Sequence, residues 1–484
     1  MQRSVDVVVV GGGSVGENVA QYAIEGGLSA AIVEHELMGG ECSYYACMPS
    51  KALLRPLEVV AAAQHLPGVT GAHTDADAML ARRDSFVSHY DDAGQVSWAE
   101  GAGAAVVRGH GELSGERTVR VRADDGSEQT LHAERAVVIA TGSTASIPSI
   151  YDGLGAWTSR DATGVREIPQ RLAIVGGGVV ACEAAAWMAG LGSQVTMLVR
   201  GETLLGGMEP FAGEHVAEGL RRAGVEIRFG ASVSAASRPD VRDTGLGRIH
   251  GGPVSLSLGD DELEVDELLV ATGRRPALDA VGLESVGLEP DDVLADRLPS
   301  WLHSVGDASG AAMLTHTGKH DARVLGSRLA AETGMAPAET PEPQDVPVPQ
   351  VVFTDPQVAA VGCTEAQARE SGLDVVVAQV PYGSAAGSAL LRDDVDGTAQ
   401  LVVDRGAGVV VGTTFVGPEA AELLHAATIA IVGQVPVSLL RHAVPAYPTV
   451  SELWLRLLEQ LPRCLLYTSP SPRDATLSRM PSSA

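Results

Sequence analysis

Val5-Asp6-Val7-Val8-Val9-Val10-Gly11-Gly12-Gly13-Ser14-Val15-Gly16 stands at the head of the chain and decides how the rest is read. Residues 5–10 form an apolar run of the kind found in strands covered on both faces. Gly11-x-Gly13-x-x-Gly16 follows without a spacer. Glycines at these places let the backbone turn tightly, approach a pyrophosphate and enter a helix whose N-terminus favours anions. A second strand over 30–33 ends at Glu34, an acid at the spacing that serves ribose hydroxyls. The competing reading is a turn with a structural role only. The order strand, turn, helix, strand, acid speaks for a dinucleotide site.

The pattern returns. A strand over 172–175 runs into Gly176-x-Gly178-x-x-Ala181, a helix over 179–190 and a strand over 195–199 followed by Arg200. Alanine is an accepted third member of the fingerprint, so the chain carries two nucleotide-binding units. Arg200 stands where an acid would mark NAD. An arginine there pairs with a 2′-phosphate, which favours NADPH and leaves NADH open. The alternative is a solvated surface charge. Strands over 137–140 and 268–271 run into Thr141-Gly142-Ser143 and Thr272-Gly273-Arg274, and both are expected to be crossings between domains.

A polar, proline-rich linker over 337–349 leads into an expected α+β domain, with strands over 351–353, 401–403 and 409–415 and helices over 418–432 and 451–460. From Cys464 to Ala484 the chain turns Ser-, Pro- and Arg-rich without periodicity. This stretch is read as non-native tail and left out of the fold.

The 484 residues suffice for about three domains. A formal net charge of -27 repels phosphate backbones, which argues against nucleic acid as a partner. No apolar stretch is long enough to span a bilayer, and residues 5–10 are too short for a signal sequence. A cytoplasmic, membrane-free protein acting on a small molecule is expected. Five cysteines in so long a chain make no disulfide framework.

Two of those cysteines lie five apart, in Cys42-Ser43-Tyr44-Tyr45-Ala46-Cys47-Met48-Pro49-Ser50-Lys51. A thiolate beside a helix start, with proline in the first turn, is favoured by the helix dipole. A partner one turn away can close a disulfide. Two buried structural cysteines, or half of a zinc site, are the alternatives. The lack of a matching Cys/His cluster counts against zinc, and no resident metal is expected.

Gly39-Gly40-Glu41-Cys42 through Cys47-Met48-Pro49-Ser50-Lys51 closely resembles the active-site signature of the pyridine nucleotide-disulfide oxidoreductases, which include lipoamide dehydrogenase, glutathione reductase and mercuric reductase. Ala140-Thr141-Gly142-Ser143, Ala271-Thr272-Gly273-Arg274, Val305-Gly306-Asp307 and Phe353-Thr354-Asp355-Pro356 follow in the family's order. The resemblance covers about residues 4 to 462. It implies an α/β fold with two Rossmann-like FAD- and NAD(P)-binding domains plus a C-terminal α+β dimerisation domain. The FAD-binding domain would take 1–150 and 271–340, the NAD(P)-binding domain 151–270, the dimerisation domain 345–463 and the tail 464–484. Gly11, Gly13, Gly16 and Glu34 would bind FAD rather than NAD. Gly40, Lys51, Thr141, Gly142, Gly273 and Asp307 would join as cofactor-binding residues, Asp307 on the ribityl chain. Gly176, Gly178 and Arg200 would take the nicotinamide nucleotide. Cys47 would be the flavin-proximal thiolate and Cys42 the sulfur that exchanges with substrate. Glu183, on an Ala-rich helix where an unpaired carboxylate is costly, would pair with Lys51 near the flavin.

The chain departs from its family near the C-terminus. The usual His-Pro-Thr, followed shortly by Glu, reads Tyr447-Pro448-Thr449-Val450-Ser451-Glu452. In the family that histidine comes from the partner subunit and serves the exchanging thiol as acid and base. A phenol, with an ordinary pKa of about 10, is a poor base at neutral pH. Mercuric reductase is similar here in carrying tyrosine. His442 lies five positions early and reads as a structural or surface-exposed residue. Tyr44 and Tyr45 would line a substrate pocket or pack against the flavin domain.

The expected activity is electron transfer from NAD(P)H through FAD to the Cys42–Cys47 disulfide and on to an acceptor, dihydrolipoyl dehydrogenase-like. Tyr447 and Glu452 complete the site from a second copy in a homodimer. A mercuric-reductase-like, quinone or general acceptor reductase is the alternative. A flavoprotein redox sensor is the alternative of another class.

Overall fold

A computed structural model of the chain describes residues 2–332, 334 and 346–466. Residues 337–345 of the expected linker, and the tail from 467 onward, lie outside the described residues. The chain forms two compact units. The first takes residues up to 56, 75–198 and 231–342, and the second takes 57–74, 199–230 and 343 onward.

The first unit starts as its glycines require. β1 (Gln2–Val10), α1 (Ser14–Glu25) and β2 (Ala30–Glu34) make one turn of parallel winding, Val7 to Val10 pairing with Ala30 to Val33. The short helix α2 (Gly40–Tyr44) and the long helix α3 (Cys47–Gln64) follow. β3 (Ala105–Arg108), β4 (His110–Leu113), β5 (Thr118–Arg122) and β6 (Glu128–Ile139) extend the sheet to the order β3-β2-β1-β6-β5-β4. Side chains alternate from Val7 to Val10, as the two-residue period of a strand demands, after a register shift between Val5 and Val7. Val7 and Val9 enter the core shared with Val19, Ala20 and Ala23 of α1. Val5, Val8 and Val10 enter the core on the other face, with Val119, Val137 and Leu302.

The second winding is α4 (Ser159–Thr163), β7 (Arg171–Val175), α5 (Val179–Gly190), β8 (Gln194–Val199) and β9 (Glu267–Val270). β7 pairs in parallel with both β8 and β9. β10 (Leu302–Ser304) then returns to pair with the C-terminal half of β6, and α6 (Thr315–Ala331) packs on α1. The two expected crossings pair with each other. Ser143–Ala145 and Arg274–Pro276 form an antiparallel ribbon.

Buried polar groups in this unit find partners across long separations. Arg238 donates to Glu267 at 2.5 Å, and both side chains are fully buried. Glu17, on the first turn of α1, is an exception: its Oε1 is buried and without a hydrogen-bond partner among the described residues. Burial pushes its pKa up to about 7, against the pull of Lys319. An acid whose folded pKa is raised keeps its full contribution below its unfolded value and loses stability as pH rises through the folded one. Glu17→Gln is therefore expected to stabilise the chain at pH 8, by an amount on the order of 1–3 kcal/mol. At pH 4 the difference is expected to vanish, and thermal denaturation at both pH values checks it.

The second unit carries a five-stranded antiparallel sheet in the order Gln350–Val352, Gln357–Gly362, Val409–Gly417, Thr398–Asp404, Val375–Pro381. Helices Ala420–Val432 and Glu452–Gln460 bury Leu423, Leu424, Leu453 and Leu457 in a core with Phe415 and Tyr382. The strand over 401–403 expected from sequence is the centre of a longer one. The helix expected from 418 begins at Ala420, because Glu419 takes the left-handed conformation at its N-cap.

Candidate active site

A cavity of about 690 Å³ in the first unit gathers turns from distant parts of the sequence around one space. Gly11, Gly13, Glu34, Gly40, Cys42, Thr141, Gly142 and Asp307 all line it. The glycines are there for contact. A Cβ on Gly11, at φ +109°, would stand 2.3 Å from the Ala140 carbonyl oxygen, and one on Gly16 would stand 2.0 Å from that of Gly11. A Cβ on Gly40, at φ +60°, would press 2.8 Å against Cα of Gly13. Gly13 itself N-caps α1 and leaves its side-chain direction open, so the helix end faces the cavity as an anion site.

Glu34 stands on the cavity wall and also braces the glycine turn. Its carboxylate accepts from the backbone N–H groups of Gly12 and Glu36, each at 2.7 Å, and lies 3.3 Å from Nδ1 of His35. Burial raises its pKa, but these bonds outweigh it and hold the group below its ordinary value. It stays ionised on the cavity wall, where a ribose hydroxyl would meet it. Asp307 accepts a short hydrogen bond from Ser143, which in turn accepts from Nε of Arg274 at 2.7 Å. Thr141 donates to the Ala277 carbonyl at 2.7 Å, fixing the turn into Gly142 at φ +73°.

The cysteines sit at two helix ends. Cys42 lies inside α2, not before a helix, and Cys47 is the first residue of α3 with Pro49 in its first turn. No disulfide joins them here, and each thiol acts on the titration of the other. The Cys42 thiol, with Thr315 and the Lys51 charge, outweighs burial and brings the Cys47 thiol down to about 6. The Cys47 thiol and burial push the Cys42 thiol far up. The two opposite directions favour Cys47 as the thiolate of the pair. Thr315, whose Oγ1 is 3.3 Å from the Cys47 sulfur, escaped the sequence reading. It begins α6, 268 positions away, and only the return of the chain through β10 brings it here.

Lys51, one turn beyond Cys47, reaches Glu183 of α5 at 2.7 Å. Glu183 is buried, 3% exposed, so its helix turns the carboxylate inward. Tyr44 and Tyr45 are both buried. Tyr44 donates to Gln95 at 3.3 Å and packs with Val87, while Tyr45 donates to Glu36 at 2.8 Å and keeps an edge on the cavity. Packing, not an open aromatic platform, describes Tyr44.

The second glycine turn repeats the first. A Cβ on Gly176, at φ +134°, would stand 2.3 Å from the Ala271 carbonyl oxygen, and Gly178 N-caps α5 with its side-chain direction open. Gly273, at φ +137°, donates no side chain but its carbonyl accepts from Ser146. Arg200, Tyr447 and Glu452 belong to the second unit. Arg200 is exposed and Tyr447 is 76% exposed ahead of a cis peptide bond to Pro448. Glu452 is buried at its helix start and accepts from Arg456 at 3.1 Å. His442 is exposed. Among the described residues no helix is long and apolar enough to cross a membrane, and no group of three or more His, Cys, Asp or Glu is placed to hold a metal ion.

Family models match nearly all of this: pyridine nucleotide-disulphide oxidoreductase over residues 5–317, and the dimerisation domain of the same family over 348–457. The chain belongs to the pyridine nucleotide-disulphide oxidoreductase family. A dihydrolipoyl dehydrogenase of Chlorobaculum tepidum is 31% identical over 92% of this chain and 95% of its own length. One of Bacillus subtilis is 30% identical over 94% and 96%. The HOCl-induced flavoprotein disulfide reductase RclA of Escherichia coli, solved as a Cu(II) complex, shares the fold with a TM-score of 0.80, at 24% identity over 94% of this chain and 99% of that one. A member of this family is a flavoprotein enzyme with FAD, a pyridine nucleotide and a redox-active cysteine pair. The cavity fits FAD: the bare N-terminus of α1 between Gly13 and Gly40 suits a diphosphate, and the far end of the same cavity reaches Cys42.

Proposed function

We propose that the chain is an NADPH-dependent dithiol–disulfide oxidoreductase of dihydrolipoyl dehydrogenase type, working as a cytoplasmic homodimer on a small-molecule acceptor. The observation that carries this reading is the placement of the cysteine pair: Cys42 on the cavity wall, and Cys47 at the start of α3 with Thr315 Oγ1 3.3 Å from its sulfur and Lys51 one turn on. Bound FAD supplies the two-electron relay between nicotinamide and these sulfurs. Gly11, Gly13, Gly16, Gly40, Glu34, Thr141, Gly142, Gly273 and Asp307 hold it, and Gly176, Gly178 and Arg200 hold the nucleotide. Lys51, neutralised by buried Glu183, sets the charge beside Cys47. Cys42 exchanges with the acceptor, and Tyr447 and Glu452 of a second copy complete the acid–base side.

The relatives named as dihydrolipoyl dehydrogenases support the acceptor class. Arg200 supports NADPH over NADH. Stopped-flow reduction of the purified protein is expected to run at least ten-fold faster at low NADPH than at low NADH, with Arg200→Glu reversing the order. Equal rates would remove the NADPH assignment. Light scattering at twice the chain mass is expected for the dimer, and a monomer would remove Tyr447 and Glu452 from the site.

Tyr447 favours a second reading, reduction of a quinone or a soft metal ion, and the Cu(II) complex of RclA points the same way. Tyr447→His decides between them. A general acid–base group contributes about 10²–10⁴-fold. The variant is expected to raise turnover with lipoamide at least ten-fold, and unchanged turnover would favour the metal or quinone reading. Slow turnover with every acceptor, alongside redox-dependent partner binding, would leave the redox sensor.

A further inference from the structure

The cavity wall that faces the first glycine turn is acidic. Glu41 directly follows Gly40, whose backbone abuts Gly13 at the N-terminus of α1, and Glu36 lies four residues before Gly40 on the same wall. Two carboxylates here oppose the anion that the helix end attracts. One guanidinium answers both. Arg160 of α4 donates from Nε to Glu41 at 2.5 Å and from its two terminal nitrogens to Glu36 at 3.0 and 3.2 Å. The same guanidinium lies 4.2 Å from the ring centroid of Tyr45, between the two cysteines in sequence. Burial works against its charge, but Glu41 and Glu36 prevail and hold it firmly protonated. Arg274, the other arginine on the wall, is 3.9 Å from the second Glu41 oxygen and spends its hydrogen bonds on Ser143 and Ser159.

We propose that Arg160 is a positioning residue for FAD: it neutralises Glu36 and Glu41 beside the diphosphate site and pins the helical turn that carries Cys42. The inference rests on the reading that this cavity holds FAD. Its chemistry is charge cancellation at short range. Close to a dianion in a partly buried site, two uncancelled carboxylates weaken binding far more than they would in water. The bidentate fork of an arginine, planar and always charged, is what lets one side chain serve both acids.

Fluorescence titration of FAD into apoprotein tests this without any turnover. Arg160→Gln is expected to raise the Kd for FAD at least ten-fold. The triple variant R160Q/E36Q/E41Q, which removes the acids as well, is expected to return it to within three-fold of wild type. A purely structural role for Arg160 would not be rescued by deleting its partners. A smaller rise in R160Q, or a triple variant that stays beyond three-fold, overturns the proposal. Should R160Q fail to fold, the triple variant decides alone: FAD binding within three-fold supports the proposal, and a weaker or insoluble protein overturns it. A wild-type chain that takes up no FAD would instead sink the reading of the cavity.

Discussion

Cys42→Ser is expected to lower turnover with lipoamide or any disulfide acceptor at least 1,000-fold, to the background of the assay, an effect of about 4 kcal/mol or more on the transition state. The reason is covalent. In the reducing direction the Cys42 sulfur attacks one acceptor sulfur and the other leaves as a thiol. Cys47 then attacks Cys42, the second acceptor thiol leaves, and the Cys42–Cys47 disulfide remains. An oxygen cannot form those bonds. Yet the serine hydroxyl can still donate to Cys47, the contact that contributes most to the low pKa of that thiol. The thiolate should therefore survive, and NADPH-driven reduction of a quinone should keep at least about a tenth of its wild-type rate. Steady-state assays with both acceptors check the split. Disulfide turnover above a tenth of wild type would show that Cys42 is not the exchanging sulfur. Alkylation of Cys47 in the same variant, followed against pH, should still show its half-point near 6.

Arg238→Met should have the largest effect on stability. Arg238 and Glu267 are both 0% exposed at the side chain, and Glu267 also accepts from the backbone of His250 and Leu268 at 2.9 Å each. Removing one partner of such a pair leaves a buried charge without its counter-charge, which costs about 3–5 kcal/mol. The pH dependence follows in sign. Burial already raises the Glu267 pKa against those bonds and the Arg238 charge. Without Arg238 it rises further, so the unfolded state binds fewer protons than the folded one between the ordinary carboxylate range and that higher value. Stability of the variant then falls as pH rises and recovers as pH drops toward 4. Urea denaturation at pH 5 and pH 8 should show a deficit clearly smaller at pH 5. An equal deficit at both would mean that lost packing, not the charge, sets the effect.

Short-range pattern carried most of what the chain reveals about itself. The glycine turns are legible because their backbone geometry excludes a side chain: a Cβ on Gly11 or on Gly176, 165 positions apart, would stand 2.3 Å from a carbonyl oxygen. The continuous apolar run of β1 announces a strand with two covered faces, and both faces are covered. The cysteine pair declares itself by five-residue spacing and the proline of the following helix.

What stayed hidden depends on how distant segments close on each other. Thr315 reaches Cys47, Arg160 reaches Glu41 and Glu36, and Arg238 reaches Glu267 only after strands from separate stretches have paired. Residue type alone does not distinguish such an arginine from a solvated surface charge, because burial and partner are set by the sheet register and helix facing. Tyr44 shows the same limit. Its place between the cysteines left a substrate-facing ring and a packed one both open, and the fold buries it against Val87 and Gln95. The sequence by itself determined the two nucleotide-binding windings and the redox pair, since each is encoded within one turn or one strand. The tertiary structure alone decided that Arg160 answers Glu36 and Glu41, that Arg238 answers Glu267 and that Thr315 meets Cys47, since those energies depend on distances across the chain and on exclusion of water.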